Sequence, residues 1–156
     1  MIISHAASGG KDRALMVIDI RRAYFNAQTR RPVFVDIPPE DWEDGDEGKC
    51  AKLNVSLYGT RDAARNWEEE LTKFMVAQSA VIGKSCPCVY DISEGDKDIK
   101  IAVHGDDIVR AGEPAELDWL KANCSQKFEI RTQELSERKS GTLDGTILGR
   151  IVLQTR

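Results

Sequence analysis

Two adjacent carboxylates, Asp106 and Asp107, follow Gly105 between the apolar runs Ile101-Ala102-Val103 and Ile108-Val109. Apolar runs separated by a glycine-containing turn predict a β-hairpin. Neighbouring like charges repel, and flanking them with buried strands raises the cost of ionising both. A bound divalent cation would remove that conflict; an ordinary polar Gly-Asp turn is the alternative reading. A third carboxylate, Asp19, stands far earlier, near the end of the run Ala14-Leu15-Met16-Val17-Ile18-Asp19-Ile20. A carboxylate in such a run is costly unless it is paired or binds a metal. If the two strands are neighbours, three carboxylates meet at one edge of a sheet. Such a set suits two divalent ions, one activating an attacking oxygen and one stabilising a leaving group.

The elements that must position these groups follow from pattern. Residues 1–13, with Gly9-Gly10 and little apolar content, predict a loose N-terminal lead-in. The run 14–20 predicts a central strand covered on both faces. Val33, Val35 and Ile37 alternate between prolines as a short edge strand, and residues 49–55 form another strand candidate. The clearest helix runs from 61 to about 79, with Thr60 as a cap, Asp62 in the first turn and Gly83 just past the end. Ala63, Ala64, Trp67, Leu71, Phe74 and Met75 share its apolar face, so Trp67 is core packing first. Residues 87–92 predict a strand leading to the acidic hairpin. Pro114 opens a second helix with an apolar stripe at Leu117, Leu120 and Cys124. Phe128 and Ile130 alternate with charges as a strand would, residues 132–145 form a polar loop, and 147–153 form a last strand. The order predicts an α+β fold, an antiparallel sheet with helices packed on one face.

The 156 residues make one domain's worth of chain, and no apolar run is long enough for a transmembrane helix. The N-terminus lacks the pattern of a secretory signal, which predicts an intracellular protein with no membrane partner. The four cysteines are scattered, Cys86-Pro87-Cys88 is too tight for zinc spacing, and buried reduced thiols are expected. A net charge of −4 argues against a free-standing nucleic-acid clamp. Positive charge is nevertheless concentrated: Arg21, Arg22, Arg30 and Arg31 crowd the stretch holding Tyr24 and Phe25. The acidic stretch 40–47 lacks a ligand oxygen where a calcium loop needs one, so it reads as a solvated loop.

Five motifs in order resemble one family. Asp19-Ile20-Arg21-Arg22-Ala23-Tyr24-Phe25-Asn26 is similar to the first catalytic motif of copia-type reverse transcriptases of long-terminal-repeat retrotransposons. Ser56-Leu57-Tyr58-Gly59-Thr60-Arg61-Asp62-Ala63-Ala64-Arg65-Asn66-Trp67 resembles that family's Ser-Leu-Tyr-Gly motif. Cys86-Pro87-Cys88-Val89-Tyr90, His104-Gly105-Asp106-Asp107 and Leu148-Gly149-Arg150-Ile151-Val152 match the remaining three. His104-Gly105 replaces an aromatic-x pair, Ala64 a proline, Asp62 a glutamine, and Arg22 a small polar residue.

The resemblance covers residues 14–153 and implies a polymerase palm-like fold with RNA-directed DNA polymerase activity. It implies a catalytic triad of Asp19, Asp106 and Asp107, with the Ile20 carbonyl joining them around two Mg2+ ions, Mn2+ being the alternative metal. It implies that Tyr24 is a steric gate against a ribose 2′-hydroxyl and that Phe25, Gly59 and Arg61 lie with it against substrate. The implied partners are a primed RNA or DNA template, deoxynucleoside triphosphates (dNTPs) and further domains of a Pol polyprotein. The implied location is the cytoplasm, a virus-like particle or the nucleus. The fingers, thumb and ribonuclease H of that family have no counterpart in the 156 residues, so an inactive, truncated remnant with the same fold is the runner-up expectation. A nucleotide cyclase or another palm-type nucleotidyltransferase is a further alternative, which leaves the Ser-Leu-Tyr-Gly stretch without a purpose.

Overall fold

The computed structural model describes residues 2–8, 13–135, 144–147 and 150–153. In chain order the elements are α1 (Ile2–Ser8), β1 (Ala14–Ile20), β2 (Phe34–Asp36), β3 (Cys50–Lys52), α2 (Ala63–Ala77), β4 (Val81–Ile82) and β5 (Val89–Ile92). They continue with β6 (Ile99–His104), β7 (Asp107–Gly112), α3 (Pro114–Lys127), β8 (Ile130–Leu135), β9 (Asp144–Ile147) and β10 (Arg150–Leu153). The chain divides into two compact units, one made of Met1–Arg21 with Thr72–Arg156 and the other of Arg22–Leu71.

The first unit holds a six-stranded antiparallel sheet in the order β4-β5-β6-β7-β1-β8. The apolar run of β1 lies between β7 and β8, which accounts for its near-continuous burial. Strand alternation gives the sheet two apolar faces. Leu15, Val109, Ala111 and Leu135 face one side and are covered by Ile2, with Ala6 packed against the group. Met16, Ile18, Ile108 and Arg110 face the other, where Arg110 interacts with Cys124 of α3. Phe74, near the end of α2, meets Phe128 edge-on at 5.2 Å. A capping box and Pro114 start α3, with Glu113 and Glu116 exchanging backbone and side-chain bonds.

The second unit contains the ribbon β2-β3, where Val35 pairs with Ala51, and an isolated bridge between Gln28 and Val55. Ion pairs of Arg30 with Glu69 and Arg31 with Asp62 tie its arginine stretch to the helical segment. Buried Ser56 accepts a bond from Asn66 of α2 at 3.0 Å.

Several expectations are corrected. The predicted lead-in contains a helix, α1, because Ile2 and Ala6 can bury against Leu15 and Val109. That helix covers the sheet face opposite Arg110 and Cys124, so the helices are not confined to one face. Helix α2 ends at Ala77, close to the expected end, but its stop is Ser79 and not Gly83: Ser79 adopts a left-handed conformation (φ 63°), and the Ala80 N–H donates to the Met75 carbonyl at 3.1 Å. Thr60 does not cap α2 with its hydroxyl, which donates instead to the Leu57 carbonyl. The loop expected over 132–145 overlaps β8 and β9, its residues 136–143 lying outside the described ones, and the single strand expected over 147–153 is the β9–β10 pair. Cys50, Cys86 and Cys88 are exposed, and only Cys124 is a buried thiol. Among the described residues no helix is long and apolar enough to cross a membrane.

Candidate active site

The three predicted carboxylates lie at one end of the β1–β7 pair in the first unit. Strands β6 and β7 form a hairpin whose two-residue turn is Gly105-Asp106, with His104 opposite Asp107. Gly105 takes φ +65° while Asp106 stays at negative φ, the pattern of a turn with glycine at its first central position. An added Cβ at Gly105 would meet nothing within 4 Å, so the glycine serves the backbone conformation and not a close approach.

Asp19 pairs directly with Asp107 in the β1–β7 register. Cross-strand partners put their side chains on the same face. That face also carries Val17 with Val109 and Leu15 with Ala111. The end of β1 is held on both sides: the Ile20 N–H donates to the Asp106 carbonyl at 3.2 Å, and the Arg21 N–H to the Glu129 carbonyl at 2.9 Å. An Arg21–Glu129 ion pair reinforces the second contact.

Electrostatics report the convergence independently of register. Burial, then the Asp106 charge, then the Asp19 charge raise the Asp107 carboxyl above the ordinary carboxylate range, with His104 opposing them. The donor set is all carboxylate oxygen, which suits a hard divalent cation. A cation there would relieve the repulsion that raises Asp107. In the conformation described, no group of three or more His, Cys, Asp or Glu side chains among the described residues is arranged to hold a metal ion. The carboxylates are thus neighbours in charge and register, with a chemistry that fits the metal. Ile20 ends β1 opposite Ile130, its side chain fully buried.

The residues expected to bind substrate lie in the second unit. Tyr24 and Phe25 occupy a 3-10 turn, Ala23–Asn26, entered through Arg22 in a left-handed conformation (φ 53°, ψ 41°). Gly59 takes φ +86° in the turn Leu57-Tyr58-Gly59-Thr60, closed by the Thr60 N–H on the Leu57 carbonyl at 3.1 Å. Positive φ at the third position marks a type II turn, which glycine fits. Arg61 is exposed just after it.

Two features escape the sequence-based reading. Tyr58 stacks on Tyr24 with ring centroids 4.3 Å apart and meets Phe25 edge-on at 5.9 Å. Arg110, three residues past Asp107, is 0% exposed, and its Nε and Nη1 have no hydrogen-bond partner among the described residues. Strand alternation could have placed Arg110 inward beside Ile108; no local signal announces the ring stack.

Residues 2–139 match the family described as reverse transcriptase (RNA-dependent DNA polymerase). The chain is 27% identical over 132 residues to a retrovirus-related Pol polyprotein from transposon TNT 1-94 of Nicotiana tabacum, covering 83% of this chain and 10% of that protein. It is 25% identical over 118 residues to a retrovirus-related Pol polyprotein from transposon RE1 of Arabidopsis thaliana, covering 75% and 8% respectively. The chain thus spans about a tenth or less of the length of these relatives. The family match, together with the acidic hairpin set against the end of β1, identifies the chain as a member of the reverse transcriptase family of copia-type retrotransposons.

Proposed function

We propose that the chain carries the nucleotidyl-transfer centre of an RNA-directed DNA polymerase, on a palm-like sheet, acting inside the cell on a primed RNA or DNA template. The observation that carries this reading is the Asp19–Asp107 register with Asp106 at the turn, where burial and then the charges of Asp106 and Asp19 raise the Asp107 carboxyl. Asp19 and Asp106 would be the principal ligands of two magnesium ions, with Asp107 and the Ile20 carbonyl beside them. When bound, magnesium, or manganese in its place, would neutralise charge on the attacking 3′-oxygen and on the leaving pyrophosphate. The hairpin and the Ile20–Asp106 bond fix the backbone that carries the carboxylates, so the side chains alone would turn to meet the ions. Tyr24 would exclude a ribose 2′-hydroxyl, while Phe25, Gly59 and Arg61 contact the dNTP and template. Other domains of a Pol polyprotein would be its partners.

A second reading is a catalytically inactive remnant of the same fold. Arg110 favours it, since a buried guanidinium whose Nε and Nη1 have no hydrogen-bond partner among the described residues burdens the strand that carries Asp107. Primer extension on an RNA template with magnesium and dNTPs tests both readings. Extension by the chain that is lost in Asp106→Asn supports the polymerase reading. Extension that persists in Asp106→Asn overturns the assignment of the triad, and none in either protein favours the remnant.

A further inference from the structure

We propose that Tyr58 is a positioning residue that sets the plane of the Tyr24 ring and thereby sharpens discrimination between deoxyribose and ribose. The inference rests on the reading of Tyr24 as the sugar gate and adds a residue to it.

A gate made of one side chain discriminates only as well as its ring holds its place against the group it must exclude. Tyr24 lies in a single 3-10 turn, where the Phe25 N–H donates to the Arg22 carbonyl at 2.9 Å and the Ala27 N–H to the Tyr24 carbonyl at 3.1 Å. Those bonds fix the backbone and leave the ring's rotation open. Ala23 and Ala27, the buried anchors of the turn, are too small to brace a ring. Tyr58 supplies what is missing. Its ring lies against Tyr24 at 4.3 Å with 29° between the planes, a stacked contact. Phe25 meets the same Tyr58 ring at 5.9 Å and 78°, an edge-on contact. Tyr58 is therefore the shared partner of both aromatic residues in the turn.

Tyr58 is itself well supported. It occupies the second position of the type II turn closed by Thr60, and Gly59 permits that turn. The segment leading into the turn is tied to the one leaving the gate, because the Ser56 N–H donates to the Ala27 carbonyl at 2.8 Å. The Gln28–Val55 bridge adds to that tie. Ser56 in turn accepts from Asn66, so the brace reaches back to α2. Yet Tyr58 is 46% exposed, more than core packing would explain. An exposed ring held this firmly and placed on Tyr24 fits a positioning role, and the stacking uses its ring and not its hydroxyl.

Two readouts on the chain test this. The first is proton NMR of the tyrosine rings, with Tyr24 assigned by Tyr24→Phe and buried Tyr90 as the internal reference. The second is the ratio of affinities for dATP and ATP, titrated with magnesium and a primed template. In Tyr58→Leu the ring-current shift of Tyr24 should vanish and the affinity ratio should fall about 2- to 10-fold, the factor that one aromatic stack commands. Tyr58→Phe should retain both. An unchanged Tyr24 shift in Tyr58→Leu, or a lost shift with an unchanged ratio, overturns the proposal. If instead Tyr24→Ala leaves the ratio unchanged, the gate reading fails, and the NMR result alone then decides whether Tyr58 sets the ring.

Discussion

Replacing Arg110 by methionine should stabilise the fold, and the size of the effect follows from its surroundings. Arg110 sits in β7 among apolar neighbours, 0% exposed, with one contact to the Met16 sulfur and two guanidinium nitrogens unpartnered among the described residues. Burial lowers its pKa to about 10, against weaker opposing effects of Cys124, Asp118 and Glu134. That depression corresponds to a desolvation cost of about 3 kcal/mol. Cys124 cannot neutralise it, since burial pushes that thiol up to about 11 and keeps it protonated near neutrality. Methionine keeps the unbranched shape and removes the charge, so a gain of about 1–3 kcal/mol is expected. In a chain of this length that raises Tm by roughly 3–10 °C. The folded-state pKa is the lower one, so the unfolded chain holds more protons above about pH 10, and stability rises with pH only there. The gain should therefore be constant from pH 6 to 9. Urea unfolding of both proteins at several pH values, with equal m, measures it. A loss of more than about 1 kcal/mol, or a gain that changes across that range, would contradict this expectation by showing that the charges of Asp118 and Glu134 outweigh the cost of burial.

Other perturbations follow from the same contacts. Asp107→Asn should stabilise the metal-free protein at neutral pH, because burial, then the charges of Asp106 and Asp19, make ionising that carboxyl costly in the folded state. With the folded-state pKa above the unfolded one, stability falls as pH rises through that interval, so the advantage of Asn should vanish in acid; thermal unfolding against pH reads it. Gly59→Ala should cost about 1–3 kcal/mol in urea unfolding from positive φ alone, since its added Cβ meets nothing. Glu116→Ala should cost about 1–3 kcal/mol by the same assay, because its carboxylate accepts from the Asp98 N–H at 2.8 Å and the Glu113 N–H at 2.9 Å.

How much was legible in the sequence depended on how local the cause was. The run 14–20 and the Gly105 turn carry their own signals, continuous apolarity and a glycine between strands, and both elements stand where those signals put them. The closeness of Asp19 to Asp107 was conditional on two strands being neighbours, and the β1–β7 register supplies that condition. Helix α1 was illegible because seven residues make no helix on propensity; the sheet face that Ile2 and Ala6 cover stabilises it. The end of α2 near residue 79 was legible from its apolar pattern, but the stop is Ser79 and not Gly83, since an αL residue need not be glycine if the Ala80–Met75 bond closes the motif. Gly83 is needed for another reason, as an added Cβ would come within 2.8 Å of the Cys86 carbonyl. The Tyr24–Tyr58 stack joins residues from two separate turns and leaves no trace in spacing.

The central claim is that Asp19, Asp106 and Asp107 together hold divalent metal. Binding of Mn2+ followed by electron paramagnetic resonance, with Mg2+ as competitor, tests it without requiring turnover. Saturable Mn2+ binding is expected, displaced by Mg2+ and weakened roughly 10-fold or more by each of Asp19→Asn and Asp106→Asn. Equal Mn2+ binding by the unaltered chain and by both variants would contradict the claim.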